Sequence, residues 1–303
     1  MPEKQGVLIC VFGPTAVGKT ELTIKLANKY KTEIISADSR QFYKEMSIGT
    51  AKPSKEELER ALHHFINSHS ISEEISAGQF EKECVSLLNK LFEKHQIVLM
   101  TGGSGLYIKA VTDGFSKMPS IPEGIRDELN NRLQNEGLDS LVAELKDIDP
   151  KYYKEVDKSN PQRVIRALEM FKATGKPFSS FRDQEVEQRS FKVIKIGLDR
   201  PREELYDRIN RRVDMMISEG LVNEVEGLVG YRNKQALQTV GYKEVFEYFD
   251  GNYTEEKMVE MIKQNSRRYA KRQLTWFRKE SGVKWFHPDE FEDIVKYIDK
   301  ELS

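Results

Sequence analysis

Gly13-Pro14-Thr15-Ala16-Val17-Gly18-Lys19-Thr20 decides how this chain is read, because it fits the pattern G-x-x-x-x-G-K-[ST] in full and has the right surroundings. Before it runs Val7-Leu8-Ile9-Cys10-Val11-Phe12, an unbroken apolar segment suited to a strand buried on both faces. After it, 21–30 has helical spacing. In such a strand–loop–helix unit, backbone N–H groups close around an anion at the helix N-terminus, where unpaired amides and the helix dipole favour negative charge. Gly13, Pro14, Thr15, Ala16, Val17, Gly18, Lys19 and Thr20 are therefore assigned to a diphosphate or triphosphate. Lys19 is expected to reach the outer phosphate, and the Thr20 hydroxyl to bind Mg2+. The competing reading is a glycine-rich turn that caps a helix.

Composition limits what can surround that loop. At 303 residues the chain can bury a large core and holds one large domain with an insertion, or two domains. With 48 basic against 49 acidic side chains, global charge gives no sign of nucleic-acid binding, although local clusters still can. The two cysteines, Cys10 and Cys84, lack metal-ligand or disulfide-framework spacing, which suits a reducing cytoplasm. The five histidines support no metal site. The N-terminus carries no signal pattern, and no run approaches the roughly 20 apolar residues of a membrane span, so a soluble cytoplasmic protein without a membrane partner is expected.

The first hundred or so residues alternate as a parallel α/β sheet requires. Thr32-Glu33-Ile34-Ile35-Ser36-Ala37 is a second strand candidate ending at Asp38, and Ile97-Val98-Leu99-Met100-Thr101 a third; between them, 54–64 and 79–94 read as helices. Ligands of such sheets bind beyond the carboxyl ends of the strands, so Asp38, Thr101 and the phosphate loop should converge on one crevice. Residues 116–190 change to charged helical patterns broken by prolines and read as a helical insertion. Phe191-Lys192-Val193-Ile194-Lys195-Ile196-Gly197-Leu198 re-enters the sheet, Asp199-Arg200-Pro201-Arg202-Glu203-Glu204 opens a helix, and Val283-Lys284-Trp285-Phe286 offers a late strand. The expected fold is α/β: a phosphate-loop, three-layer core with a parallel sheet, built from 1–115 and 191–303, plus the insertion.

Three further motifs carry chemistry. In Asp38-Ser39-Arg40-Gln41-Phe42-Tyr43, followed by Ile48-Gly49-Thr50-Ala51-Lys52-Pro53, a carboxylate at a strand end facing the phosphate loop can take a proton from a nucleophile or hold Mg2+ through water. Capping the next helix is its competing role. Thr101-Gly102-Gly103-Ser104-Gly105-Leu106-Tyr107 is either a second anion cradle or an ordinary strand-to-helix turn. Residues 263–279 hold seven basic side chains, three aromatics and no acid. Such a helix can grip a phosphate backbone; pyrophosphate contact and a core-facing aromatic stripe are the alternatives.

Together these motifs resemble one family, the tRNA dimethylallyltransferases, over nearly the whole chain. The resemblance also includes Asn160-Pro161-Gln162-Arg163-Val164-Ile165-Arg166-Ala167-Leu168-Glu169, Gln238-Thr239-Val240-Gly241-Tyr242-Lys243-Glu244 and Arg268-Tyr269-Ala270-Lys271-Arg272-Gln273-Leu274-Thr275-Trp276. It implies transfer of a dimethylallyl group from dimethylallyl diphosphate to N6 of the adenine immediately 3′ of the anticodon in tRNA. Under it, Lys19, Ser104 and Arg126 contact the leaving diphosphate, Thr20 holds Mg2+, and Asp38 is general base or hydrogen-bond acceptor for the adenine amine. Ser104 stands where family members often have Thr. Asp38, Ser39, Arg40, Gln41, Gln162, Arg163, Val164, Ile165 and Arg166 are the implied tRNA contacts, with the insertion embracing the anticodon stem-loop of a monomeric enzyme.

Three other functions fit parts of the pattern. A small-molecule kinase would place ATP in the same loop but leaves the basic helix and the insertion without a task. An adenylate isopentenyltransferase would prenylate a free nucleotide and needs neither 162–166 nor the basic helix. A non-catalytic RNA-binding protein would not depend on Lys19 or Asp38.

Overall fold

The computed structural model describes residues 5–116, 118–182 and 188–303. They form, in order, β1 (Val7–Phe12), α1 (Lys19–Tyr30), β2 (Ile34–Ser36), α2 (Lys55–Arg60), β3 (His63–His64), α3 (Ala77–Phe92), β4 (Ile97–Gly102) and α4 (Gly105–Thr112). Five helices follow: α5 (Ile125–Glu136), α6 (Leu138–Ile148), α7 (Pro150–Glu155), α8 (Pro161–Thr174) and α9 (Phe178–Arg182). The chain ends with β5 (Lys192–Leu198), α10 (Arg202–Ser218), α11 (Leu221–Glu226), α12 (Tyr242–Phe249), α13 (Glu255–Phe277), β6 (Val283–Phe286) and α14 (Phe291–Leu302). Two compact units result, one of Met1–Thr112 with Arg189–Ser303, the other Asp113–Gln188.

In the larger unit six parallel strands lie in the order β3-β2-β4-β1-β5-β6. Each residue of β1 is buried, because the strand sits between β4 and β5 with a core on each face. Val7, Ile9 and Val11 point into a core with Leu22, Ile24 and Leu26 of α1 and Ile294 and Ile298 of α14. Leu8, Cys10 and Phe12 face the opposite core, with Phe80, Cys84 and Leu88 of α3 and Ile108 of α4. The period-two alternation of a strand divides one apolar run between two layers of helices. A third cluster joins Tyr43, Met46 and Ile71 to α11, α12 and the first turns of α13.

Two sequence expectations shift. The second strand is shorter than 32–37, spanning Ile34–Ser36. The helix expected over 54–64 starts with a Ser54/Glu57 capping box but stops at Arg60, and His63–His64 pair with Ile34 and Ile35 as an edge strand. Four or five polar residues carry little periodic signal, so the helix end was not visible in the pattern.

The smaller unit is helical. Leu129, Leu141, Leu145, Val164, Ile165 and Leu168 form its core. Pro150 and Pro161 open α7 and α8, where Asp149 and Asn160 supply the N-caps, so these prolines start helices as well as ending what precedes them. Asp149 is buried and also accepts from the Ser179 N–H and hydroxyl, both at 2.8 Å, which ties α9 to α7.

Candidate active site

The phosphate loop follows β1. Ala16 (φ 62°) and Gly18 (φ 112°) both have left-handed backbone, and Gly18 sits immediately before α1, a conformation that a residue without Cβ adopts at no steric cost. Lys19 Nζ donates to the Gly13 and Pro14 carbonyls at 3.0 and 2.8 Å. Burial pushes its ammonium down to about 8; Asp38 opposes the fall and the Arg212 guanidinium adds to it. Two further arginines fix the loop from α10 and its approach: Arg200 Nε donates to the Val17 carbonyl and Arg208 Nε to the Ala16 carbonyl, each at 2.8 Å. With those carbonyls held, the loop keeps its curvature and a cationic surround.

Asp38 follows β2, across β4 from the loop. Its Oδ1 accepts from the Arg40 N–H at 3.0 Å, so Asp38 caps a turn there and not the helix expected after it. Lys19, Thr20, Asp38, Gln41 and Thr101 line one pocket with Ser36, Pro53, His63, Ile66 and Gly102. Convergence of the strand ends therefore brings together the loop lysine, the loop hydroxyl and the carboxylate, as the sheet topology requires. Gln41 is held by the Ser36 hydroxyl on its Oε1 and by the Thr50 and Ala51 carbonyls on its Nε2, each at 3.2 Å.

Ser104 braces this loop. Its Oγ accepts from the Ser39 N–H at 3.0 Å and donates to the Ser39 hydroxyl at 3.1 Å, while its carbonyl starts α4. Thr101-Gly102-Gly103-Ser104 is thus a strand-to-helix turn whose side chain is tied to the residue after Asp38.

The basic helix splits by face. Arg268, Lys271, Arg272, Trp276 and Arg278 are exposed, whereas Ala270, Gln273 and Phe277 are buried. Phe277 stacks on Phe12 with ring centroids 4.7 Å apart, so the core-stripe alternative holds for that residue. Lys263 pairs with Asp214 at 2.5 Å and Arg278 with Asp199 at 2.8 Å. Gln273 is the residue that sequence reasoning missed. Its Oε1 accepts from the Thr15 N–H and its Nε2 donates to the Gly103 carbonyl, both at 2.9 Å, clamping the phosphate loop to the turn after β4. Its place in a polar run concealed this; its sole signal was an uncharged amide on the helix face that also carries Ala270 and Phe277.

In the smaller unit, Arg126 Nη2 donates to Gln162 Oε1 at 2.9 Å. Arg126 and Arg166 lie 3.4 and 3.3 Å from the carboxylate of Glu169, which is 1% exposed. The buried carboxylate organises two arginines around the start of α8. Gln162 and Arg163 are exposed there and Arg166 is partly so. Val164 and Ile165 are 0% exposed and belong to the core, which corrects their place among the expected tRNA contacts: helical geometry turns them away from the face that carries Gln162, Arg163 and Arg166.

No group of three or more His, Cys, Asp or Glu able to hold a metal occurs among the described residues. The Thr20 hydroxyl and the Asp38 carboxylate, both on the pocket wall, suit Mg2+, which keeps several waters and takes phosphate oxygens alongside one or two protein groups. No helix among the described residues is long and apolar enough to cross a membrane.

Known proteins resemble this chain over most of its length. The family model for IPP transferase matches residues 41–280. The tRNA dimethylallyltransferase of Christiangramia forsetii is 52% identical over 297 residues, 98% of each chain. That of Cytophaga hutchinsonii is 50% identical over 296 residues, 98% of this chain and 97% of its own. Among solved structures, the tRNA isopentenylpyrophosphate transferase of Bacillus halodurans superposes with a TM-score of 0.73 at 39% identity, covering 98% and 97% of the two chains. A eukaryotic dimethylallyltransferase acting on tRNA superposes at 0.76 with 29% identity, over 90% of this chain and 70% of that one. A phosphate loop facing a strand-end carboxylate, on a sheet shared with these relatives at such identity and coverage, leaves one conclusion: the chain belongs to the IPP transferase family.

Proposed function

We propose that this chain transfers a dimethylallyl group from dimethylallyl diphosphate to N6 of the adenine immediately 3′ of the anticodon in tRNA, releasing pyrophosphate. The observation that carries this is a pocket whose wall brings together Lys19, Thr20, Asp38 and Gln41. A diphosphate in the loop draws Lys19 Nζ off the Gly13 and Pro14 carbonyls and onto its own oxygens. The N6 lone pair forms a bond to the prenyl C1, the C1–O bond breaks, and its electron pair leaves on the diphosphate. Asp38 holds the amine and receives or relays its proton. That amine is a weak nucleophile, so alignment and stabilisation of the leaving charge supply most of the rate. Thr20 would hold Mg2+, with Asp38 reaching it through water, and the ion would supply further charge neutralisation on the diphosphate. Ser104 keeps Ser39 and hence Asp38 in register.

A stacked base in the anticodon loop cannot enter the pocket, so the enzyme extracts it. Ser39, Arg40 and Gln41 are assigned to the entering nucleotide. Gln162, Arg163 and Arg166 on the exposed start of α8, together with the exposed basic face of α13, are assigned to the RNA backbone. Arg126 is assigned to the diphosphate. The reading is of a monomeric cytoplasmic enzyme.

Purified protein with dimethylallyl diphosphate, Mg2+ and an unmodified tRNA bearing adenine 3′ of the anticodon tests this by nucleoside mass spectrometry, with AMP as parallel acceptor. Prenylated adenosine in the tRNA alone is expected. Product on AMP alone, or on neither, overturns the assignment.

A further inference from the structure

The segments Ile48-Gly49-Thr50-Ala51 and Gly241-Tyr242-Lys243-Glu244 lie far apart in sequence and neither lines the pocket, yet one carboxylate joins them. Glu224, on α11, accepts from three consecutive backbone N–H groups: Ser47 at 2.9 Å and Ile48 at 2.7 Å on Oε2, and Gly49 at 3.1 Å on Oε1. The Tyr242 hydroxyl donates to the same Oε1 at 2.6 Å. Tyr242 is fully buried, and its ring lies so close to Gly49 that a Cβ there would come within 2.5 Å of it. Burial and the Glu224 carboxylate both push the phenol up, keeping it protonated as a donor. The Tyr242 helix is in turn pinned by Glu244, which accepts from the Gly241 N–H and from Asn265 of α13, both at 2.7 Å.

The turn that Glu224 holds presents the two carbonyls that orient Gln41. Thr50 and Ala51 accept from Gln41 Nε2, and Ala51 sits at φ 49°, a left-handed conformation that a non-glycine residue keeps only when its surroundings impose it. Three N–H groups converging on one carboxylate supply that imposition. Glu224 thus accepts at one side of the turn, Gln41 Nε2 donates to its other side, and the turn backbone links the carboxylate to the amide on the pocket wall.

We infer that Glu224 and Tyr242 are positioning residues that set the Gln41 amide for the incoming tRNA nucleotide. This deepens the proposed function and rests on its assignment of Gln41 to that nucleotide. The relay acts on the acceptor side: Glu224 bonds Ser47, Ile48, Gly49 and Tyr242, whereas Arg200, Arg208 and Gln273 bond the phosphate loop.

The test compares Glu224→Gln, Tyr242→Phe, Gln41→Ala and the double variant Glu224→Gln/Gln41→Ala by steady-state transfer with full-length protein. Glu224→Gln turns an amide NH2 toward backbone donors and frees the turn; kcat/KM for tRNA should fall about 10- to 100-fold, as displacements near 1 Å do. The dissociation constant for dimethylallyl diphosphate should stay within about twofold, a separation that general loosening of the fold would not give. Tyr242→Phe keeps the ring against Gly49 and should show a smaller loss of the same kind. The double variant should be no worse than Gln41→Ala, since both changes break one relay. If Glu224→Gln multiplies the Gln41→Ala defect, or weakens diphosphate binding equally, the positioning role is overturned and the assignment of Gln41 stands. If Gln41→Ala alone leaves kcat/KM for tRNA unchanged, the assignment falls and takes the inference with it.

Discussion

Replacing Gln273 with methionine tests whether α13 splints the phosphate loop. Methionine fills nearly the same volume but neither donates nor accepts a strong hydrogen bond. Gln273 is 6% exposed, and its amide satisfies the Thr15 N–H and the Gly103 carbonyl at 2.9 Å each. A buried backbone group left without a partner costs about 1–3 kcal/mol. Thr15 is half-buried, so water can partly replace its lost bond, and the sum is set near the lower end, about 2–4 kcal/mol. For a cooperative unit of this size that corresponds to a fall in Tm of roughly 4–8 °C. The same change frees the phosphate loop to shift against the turn after β4, so the KM for dimethylallyl diphosphate should rise about tenfold while tRNA affinity stays close to that of the parent. Differential scanning calorimetry and initial-rate kinetics measure the two effects. A variant with the parent's Tm and KM would refute the splint, because a buried carbonyl and a half-buried N–H left without partners cannot be free of cost.

Lys19→Ala and Asp38→Ala are each expected to abolish transfer while leaving tRNA affinity nearly intact, and full turnover by Asp38→Ala would remove it from the reaction. In the free enzyme Lys19 loses its proton near pH 8. Because the cation is the form that binds, diphosphate affinity should hold below that pH and weaken above it, approaching about tenfold per pH unit; calorimetric titration giving the same affinity at pH 7 and 9.5 contradicts this. Arg163→Ala and Arg166→Ala should weaken tRNA binding with the diphosphate dissociation constant unchanged, and filter binding showing no loss for either removes the RNA role of α8. Ile165→Ala should destabilise the smaller unit by about 2–5 kcal/mol, as core truncations do, read as an earlier denaturation transition.

The phosphate loop, β1 and α1 were legible in the chain because their information is local: eight consecutive residues, an apolar run and a helical period. The insertion showed itself as a change of period and proline content, and family resemblance ordered the remaining motifs. What the sequence by itself determined was therefore the class of sheet, the glycine loop between β1 and α1, and the carboxylate facing it. Only the tertiary structure decided that Gln273 clamps Thr15, that Arg200 and Arg208 hold the loop carbonyls, that Glu224 gathers the turn behind Gln41, and that Val164 and Ile165 face a core. The reason is physical. A buried amide or carboxylate gains its partner across the fold, so along the chain it is indistinguishable from a solvated polar residue. Hydrophobic periodicity reports which face is buried without reporting what that face meets.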